Sequence, residues 1–215
     1  MVRKLYMVWG SPPVNAVLIT ARALNVNLDL HELDFAKQEH LQDWFLQINP
    51  SHTVPTLDDG VILWDSHAIL MYLAETYGKN SGLYSEKLEE KMKIFQILNL
   101  DCGTVFRKMS DCIKPIFYDN KKTLEPKALE AAKETYVVLE RILKKNKFLV
   151  GDRLTIADIS VFSSVAAQHI FLPIDEREFP NLNKWFIHFQ SLDMTKAAEK
   201  GIEALKIGLQ TKCLL

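Results

Sequence analysis

Cysteine is scarce in this 215-residue chain. Its three residues, Cys102, Cys112 and Cys213, are odd in number and fall in no CxxC or CxxH spacing. That argues against a disulfide framework or a zinc site of the usual spacing, and reads as free thiols in a reducing, cytoplasmic compartment. Long hydrophobic runs are missing too. No stretch reaches the roughly eighteen uncharged apolar residues of a membrane helix, and MVRKLYMVWGSPP meets two prolines too soon for a signal peptide. Neither sign of charge is in excess: 26 basic and 27 acidic side chains leave −1, which makes nucleic acid a poor partner. Repeats, low-complexity tracts and any GxSxG nucleophile elbow are also lacking. What is there is ordinary globular composition, 48% hydrophobic and 25% charged, enough for one compact unit or two small domains sharing an interface.

The first eighty residues alternate strand and helix patterns. Residues 4–8 (KLYMV) make a strand candidate before a turn at Gly10, and Val14, Val17, Leu18, Ala21 and Leu24 then follow helical spacing. Residues 28–33 (LDLHEL) read as a second strand, followed by a polar, partly helical segment that Pro50 ends. Residues 54–57 and 61–64 flank an Asp-Asp-Gly turn as a β-hairpin. A helix over 66–77 buries Ile69, Leu70, Leu73 and Tyr77 and stops at Gly78. From Glu86 strand signals cease, and helical patterns cover 89–116 (stopped or kinked near Pro115), 126–145, 156–170, 182–191 and 195–208. The expected organisation is α/β plus all-α, residues 1–80 followed by 87–215.

Two local motifs have a clear mechanism. In GDRLTIAD (151–158), Thr155 and Asp158 form a capping box with Asp in place of Glu or Gln, and Leu154 with Ile159 supplies the hydrophobic staple. In WGSPPVNAVL (9–18), Ser11 suits a helix N-cap and Pro12 a first helical position. The same serine also holds a hydroxyl at the positive end of a helix, where it could face an anion. The local sequence by itself supports the cap.

These motifs, with SPPV at 11–14, EH at 39–40, NPSHTVPTL at 49–57 and WDSHAI at 64–69, together resemble the cytosolic glutathione transferases, and among them the insect delta and epsilon classes. The resemblance covers essentially the whole chain. It implies a thioredoxin-like, glutathione-binding N-terminal domain, an all-helical C-terminal domain lining the hydrophobic substrate site, a homodimer, and glutathione as co-substrate without a metal.

On that footing the site can be read residue by residue. Glutathione offers an amine, two carboxylates and a thiol. The His52-Thr53-Val54-Pro55 segment presents a backbone edge at Val54 on which a peptide can add as a strand, since Pro55 cannot donate to a ladder; by resemblance the Val54–Pro55 bond is cis. Asp65 would take the γ-glutamyl amine, and Ser66 with the free helical N–H groups its carboxylate; a plain capping role for Asp65 or Ser66 is equally compatible. His40 and His52 would face the glycine carboxylate. His67 and Asn15 stand where these classes often carry arginine. Histidine is mostly neutral at pH 7 and lacks the guanidinium fork, so glutathione affinity is expected to be weaker or more pH-dependent.

The implied chemistry is attack by the glutathione thiolate on a hydrophobic electrophile. Lowering a thiol pKa from ~8.5 by two is worth about 2.7 kcal/mol. One hydroxyl hydrogen bond to an anion supplies ~1.5–3 kcal/mol and a helix N-terminus ~0.3–1. Ser11 is therefore the candidate catalytic residue, as a donor and not as a nucleophile. Tyr6 is the rival hydroxyl, though its place in a strand points to core packing. Pro13, Phe106, Met109 and Ile113 are the candidates for the hydrophobic wall, with Leu205 and Leu209 closing it; an ordinary helix core is the alternative for the fourth-helix residues. A low-turnover carrier of glutathione or a hydrophobic ligand is the competing function. DSHAIL (65–70) and FRKMSD (106–111) also look like the Noppera-bo subgroup linked to ecdysteroid synthesis, in which a fourth-helix carboxylate meets a steroid hydroxyl. In this chain that position is Met109, with Asp111 two residues on.

Overall fold

A computed structural model describes residues 3–213. Four strands form one mixed sheet in the order β2-β1-β3-β4: β1 (Lys4–Met7), β2 (Asp29–Glu32), β3 (Thr56–Asp58) and β4 (Ile62–Leu63). The β1–β2 pair is parallel, joined by helix α1 (Pro12–Ala23), and the β1–β3 and β3–β4 pairs are antiparallel. Alternation along β1 sorts its side chains. Leu5 and Met7 enter the main core beneath α1 and α3 (Ser66–Tyr77), whereas Tyr6 faces the other way, onto Phe45 of the short helix α2 (Asp43–Leu46). Tyr6 is therefore core, its ring edge-on to Phe45 and His31. The hairpin is shorter than the sequence suggests: Val54 lies outside β3, and the Val54–Pro55 and Trp64–Asp65 peptide bonds are cis.

The segment 78–87 leads to the helical part, α4 (Leu88–Leu100), α5 (Phe106–Tyr118), α6 (Pro126–Leu143), α7 (Ile156–Phe171), α8 (Pro180–Gln190) and α9 (Glu199–Lys212). The single stretch expected over 89–116 is two helices joined by a π-helical turn at Asp101–Val105. Pro115 does not end α5, which runs on to Tyr118. Helix α7 is buried on all sides from Ile156 to Gln168, as a central helix must be when neighbours cover every face. Its start is fixed by Asp158, fully buried. One carboxylate oxygen accepts from Thr155 N–H at 2.9 Å and the Thr155 hydroxyl at 3.0 Å, the other from Leu149 N–H at 2.9 Å and the Trp185 indole at 3.2 Å. Burial pushes this carboxyl up while the four donors pull it down, with burial the larger influence.

Candidate active site

Ser11 occupies the N-cap position of α1 in extended conformation (φ −83°, ψ 116°), and its side chain makes no capping bond. The prolines explain this departure from the cap reading. A capping hydroxyl accepts from the second or third helical N–H. The second position is Pro13, which has none, and Val14 N–H is not taken up by the serine. Among the described residues the Ser11 hydroxyl has no partner, and it is left half-buried at the positive end of a helix. Gly10, at φ +91°, supplies the left-handed turn that brings the chain from β1 into this position.

The loop after α2 is organised by Asn49, fully buried, which sequence reasoning did not single out. Its amide donates to Thr53 O at 3.0 Å and Thr56 Oγ1 at 2.8 Å, and its oxygen accepts Ser51 N–H at 2.8 Å. The Thr56 hydroxyl donates to Thr53 O as well, at 3.0 Å. Thr53 thus braces the loop through its carbonyl. Among the described residues, neither N–H nor C=O of Val54 is bonded within the chain. His52, at φ +47° and exposed, stands 6.3 Å ring to ring from His40, which stacks on Phe35 at 4.1 Å. Burial, and then the neighbouring His52, push the His40 pKa down, so this imidazole is neutral near pH 7. Its Nδ1 is buried without a partner among the described residues.

Asp65 caps α3: one carboxylate oxygen accepts from His67 N–H at 3.1 Å, while the side chain stays exposed. Ser66, beside it, is buried in the first turn. The His67 ring turns toward the helical part. Its Nε2 lies 2.8 Å from the Ser160 hydroxyl and 3.4 Å from Asp101, and Ser160 donates to that same Asp101 oxygen at 2.5 Å. Asp101 is 3% exposed, with its other oxygen unpartnered among the described residues. A three-residue polar knot thus joins α3, the π-turn and α7. Its signals were present but weak: Ile94, Ile97 and Leu98 define a buried face that reaches Asp101 at helical spacing, and Ser160 is one of several small polar residues in a mostly apolar helix.

The candidates for the hydrophobic wall differ in their burial. Met109 has no accessible surface, and Ile113 is buried with Cys112, Ile116, Leu205 and Leu209 in one cluster. Met109 and Ile113 pack in that cluster with residues of α6, α7 and α9, which is what the ordinary helix-core alternative expects, and Leu205 and Leu209 belong to the same cluster. Phe106 and Pro13 remain half-buried with surface to offer. Asp111 is exposed and paired with Arg107 at 3.2 Å one turn earlier, on the solvent side of α5. A carboxylate there does not replace the one expected near Met109. Among the described residues, no group of three metal-ligating side chains occurs, and no helix is long and apolar enough to cross a membrane.

Comparison with known proteins gives a consistent answer. Residues 1–75 match the model described as glutathione S-transferase, N-terminal domain, and residues 66–193 that of the C-terminal domain. Glutathione S-transferase 1 of Manduca sexta is 32% identical over 199 residues, 91% of each chain. An epsilon-class glutathione S-transferase from the housefly, Musca domestica, superposes with a TM-score of 0.93 at 37% identity over 98% of both chains. A Drosophila mojavensis glutathione transferase homologue solved with bound glutathione has a TM-score of 0.93 at 30% identity, over 99% of this chain and 98% of that one.

Proposed function

Because the chain belongs to the glutathione S-transferase family, whose standard reaction is glutathione conjugation, we propose that Ser11 is its catalytic hydroxyl and that hydrophobic electrophiles are its second substrates. The observation that carries this reading is the uncommitted Ser11 side chain at the N-terminus of α1. Bound glutathione loses its thiol proton to solvent, and Ser11 donates a hydrogen bond to the sulfur while keeping its own proton. The thiolate then forms a C–S bond to the electrophile, and the leaving group departs with its electron pair.

The rest of the tripeptide has complementary groups in order. The free N–H and C=O of Val54 support a strand-like pairing with the cysteinyl backbone. Asp65 spends one oxygen on its cap and offers the other to the γ-glutamyl ammonium. Ser66 and the first N–H groups of α3 face its carboxylate. His40, held neutral, and exposed His52 hydrogen-bond the glycine carboxylate in this reading, which their adjacency supports. His67 acts behind this shell, anchoring α3 to Asp101 and Ser160. Phe106 and Pro13 supply apolar surface for the electrophile.

Three finer assignments go with this. The enzyme is epsilon-like, in line with its 37% identity to the housefly protein. It works in the cytoplasm on xenobiotic electrophiles, consistent with three unpaired thiols. It is a homodimer: Leu88, Met92 and Phe95 recur at helical spacing on α4 and are all exposed, a stripe a monomer has no reason to keep. The direct test is conjugation of a chloronitrobenzene by wild type and Ser11→Ala. Loss of one hydrogen bond to an anion, ~1.5–3 kcal/mol, is expected to cost about ten- to a hundredfold in kcat/KM. Equal activity rejects the role of Ser11. Tight glutathione binding with no turnover over a broad electrophile panel would instead favour a carrier.

A further inference from the structure

Helix α9 meets the Ser11 turn at three points. A Cβ built on Gly201 would lie 2.0 Å from Oδ1, 2.9 Å from Cγ and 3.1 Å from Nδ2 of Asn15, so the Asn15 amide fills the space a side chain at 201 would need. One turn further along the same face, Leu205 packs against Gly10: a Cβ there would reach the Leu205 backbone nitrogen at 3.5 Å. At the outer edge, the Lys200 ammonium sits 4.1 Å from the centre of the Trp9 ring. Trp9 and Gly10 immediately precede Ser11, and Asn15 lies one helical turn after it, its N–H bonded to Ser11 O at 3.0 Å. The contacts therefore bracket Ser11 on both sides.

Asn15 is 3% exposed, and its Oδ1 has no hydrogen-bond partner among the described residues. A buried amide oxygen without a partner is uncommon and calls for a reason. Packing supplies one. All three outer atoms of the amide lie within about 3 Å of the position a Cβ at 201 would take, so flipping the amide would not clear it. Any bulk at 201 must move Asn15 itself, and with it the first turn of α1.

We propose that Asn15 and Gly201 are positioning residues for Ser11, seating α9 against α1 so that the Ser11 hydroxyl is held at the glutathione sulfur. The proposal rests on the Ser11 reading above and adds a second element, the C-terminal helix, to the machinery that sets the hydroxyl's place. Because Leu205 also belongs to the cluster containing Met109 and Ile113, α9 joins the α5 core to the catalytic turn.

The test compares wild type, Ser11→Ala, Gly201→Ala, Asn15→Ala and the Asn15→Ala/Gly201→Ala double variant. It measures the ultraviolet absorbance of bound glutathione thiolate against pH, kcat and KM separately, and melting temperature. A displacement of about 1 Å at a reacting group costs on the order of a hundredfold, so Gly201→Ala is expected to lose about ten- to a hundredfold in kcat, with KM for glutathione less affected. Its thiolate titration should move to higher pH. The double variant removes the clash and should recover most of the loss, a rescue that general destabilisation would not produce. If Gly201→Ala does not fold, Asn15→Ala and the double variant carry the same comparison. Thiolate titrations in these variants matching wild type, with Ser11→Ala impaired, overturn the positioning role alone. Ser11→Ala matching wild type overturns the reading of the site and this proposal with it.

Discussion

Replacing Asp158 by alanine gives the sharpest stability expectation. The substitution removes one carboxylate and leaves the N–H groups of Thr155 and Leu149, the indole N–H of Trp185 and the Thr155 hydroxyl without their acceptor. The hydroxyl can rotate to another partner, but the three N–H groups cannot. An orphaned buried donor costs about 1–3 kcal/mol, so three at the low end give ~3 kcal/mol, and sharing one network keeps the sum from growing much beyond that. Relief from burying a charge offsets part, since burial already pushes this carboxyl up. A net loss of about 2 kcal/mol corresponds to roughly 4–8 °C in melting temperature for a chain of this size. Calorimetry or reversible urea unfolding measures it. Asp158→Asn, which keeps one acceptor oxygen, should fall between wild type and alanine. Conjugation by the folded fraction should be unchanged, because no reacting group touches Asp158. A loss below about 1 kcal/mol in Asp158→Ala would refute the four-donor account.

Acidification gives a second expectation. Burial lowers the pKa of both His40 and His169, and the Nδ1 of His169 accepts the Ile174 N–H at 3.1 Å. With folded values below the unfolded ~6.5, the unfolded chain binds more protons, so stability is full above that pH and is lost as pH falls below it. Melting curves from pH 7.5 to 5 should show this, and His40→Gln with His169→Gln should flatten the slope; an unchanged slope would contradict it. Met109→Ala should destabilise by about 2–5 kcal/mol as a core cavity while leaving electrophile preference intact, whereas Phe106→Ala should alter preference at smaller stability cost. Urea unfolding and a substrate panel separate the two. Met92→Glu with Phe95→Glu should shift the elution of the enzyme from dimer to monomer in light-scattering chromatography; two elution profiles that coincide would place the dimer contact elsewhere.

The sequence made the fold legible wherever apolar spacing was regular. The 3.6-residue period from Val14 to Leu24 became α1, and the largely apolar segment after the Thr155 capping box became the central α7. It misled where two principles competed. SerProPro reads as a capped helix start, yet the second proline removes an N–H the cap would serve, and the hydroxyl is freed. Phe106, Met109 and Ile113 share helical spacing, but spacing cannot say whether that face meets a cavity or neighbouring helices; Met109 and Ile113 lie in a cluster with residues of α6, α7 and α9. The π-turn at Asp101–Val105 left no break in periodicity strong enough to see. Asn49 passed unnoticed because much of its work is done through backbone atoms, which sequence patterns do not display. Gly201 had no visible role until Asn15 was found in the space beside it.

The central claim is that the Ser11 hydroxyl stabilises the glutathione thiolate. It is tested most directly by titrating enzyme-bound glutathione through its ultraviolet thiolate absorbance in wild type and Ser11→Ala, with binding confirmed separately by calorimetry. The account expects the bound thiol of wild type to ionise well below the ~8.5 of a free thiol, and that of Ser11→Ala to return by about one to two pH units toward it. Superimposable titrations, with glutathione bound equally well by both proteins, would contradict it.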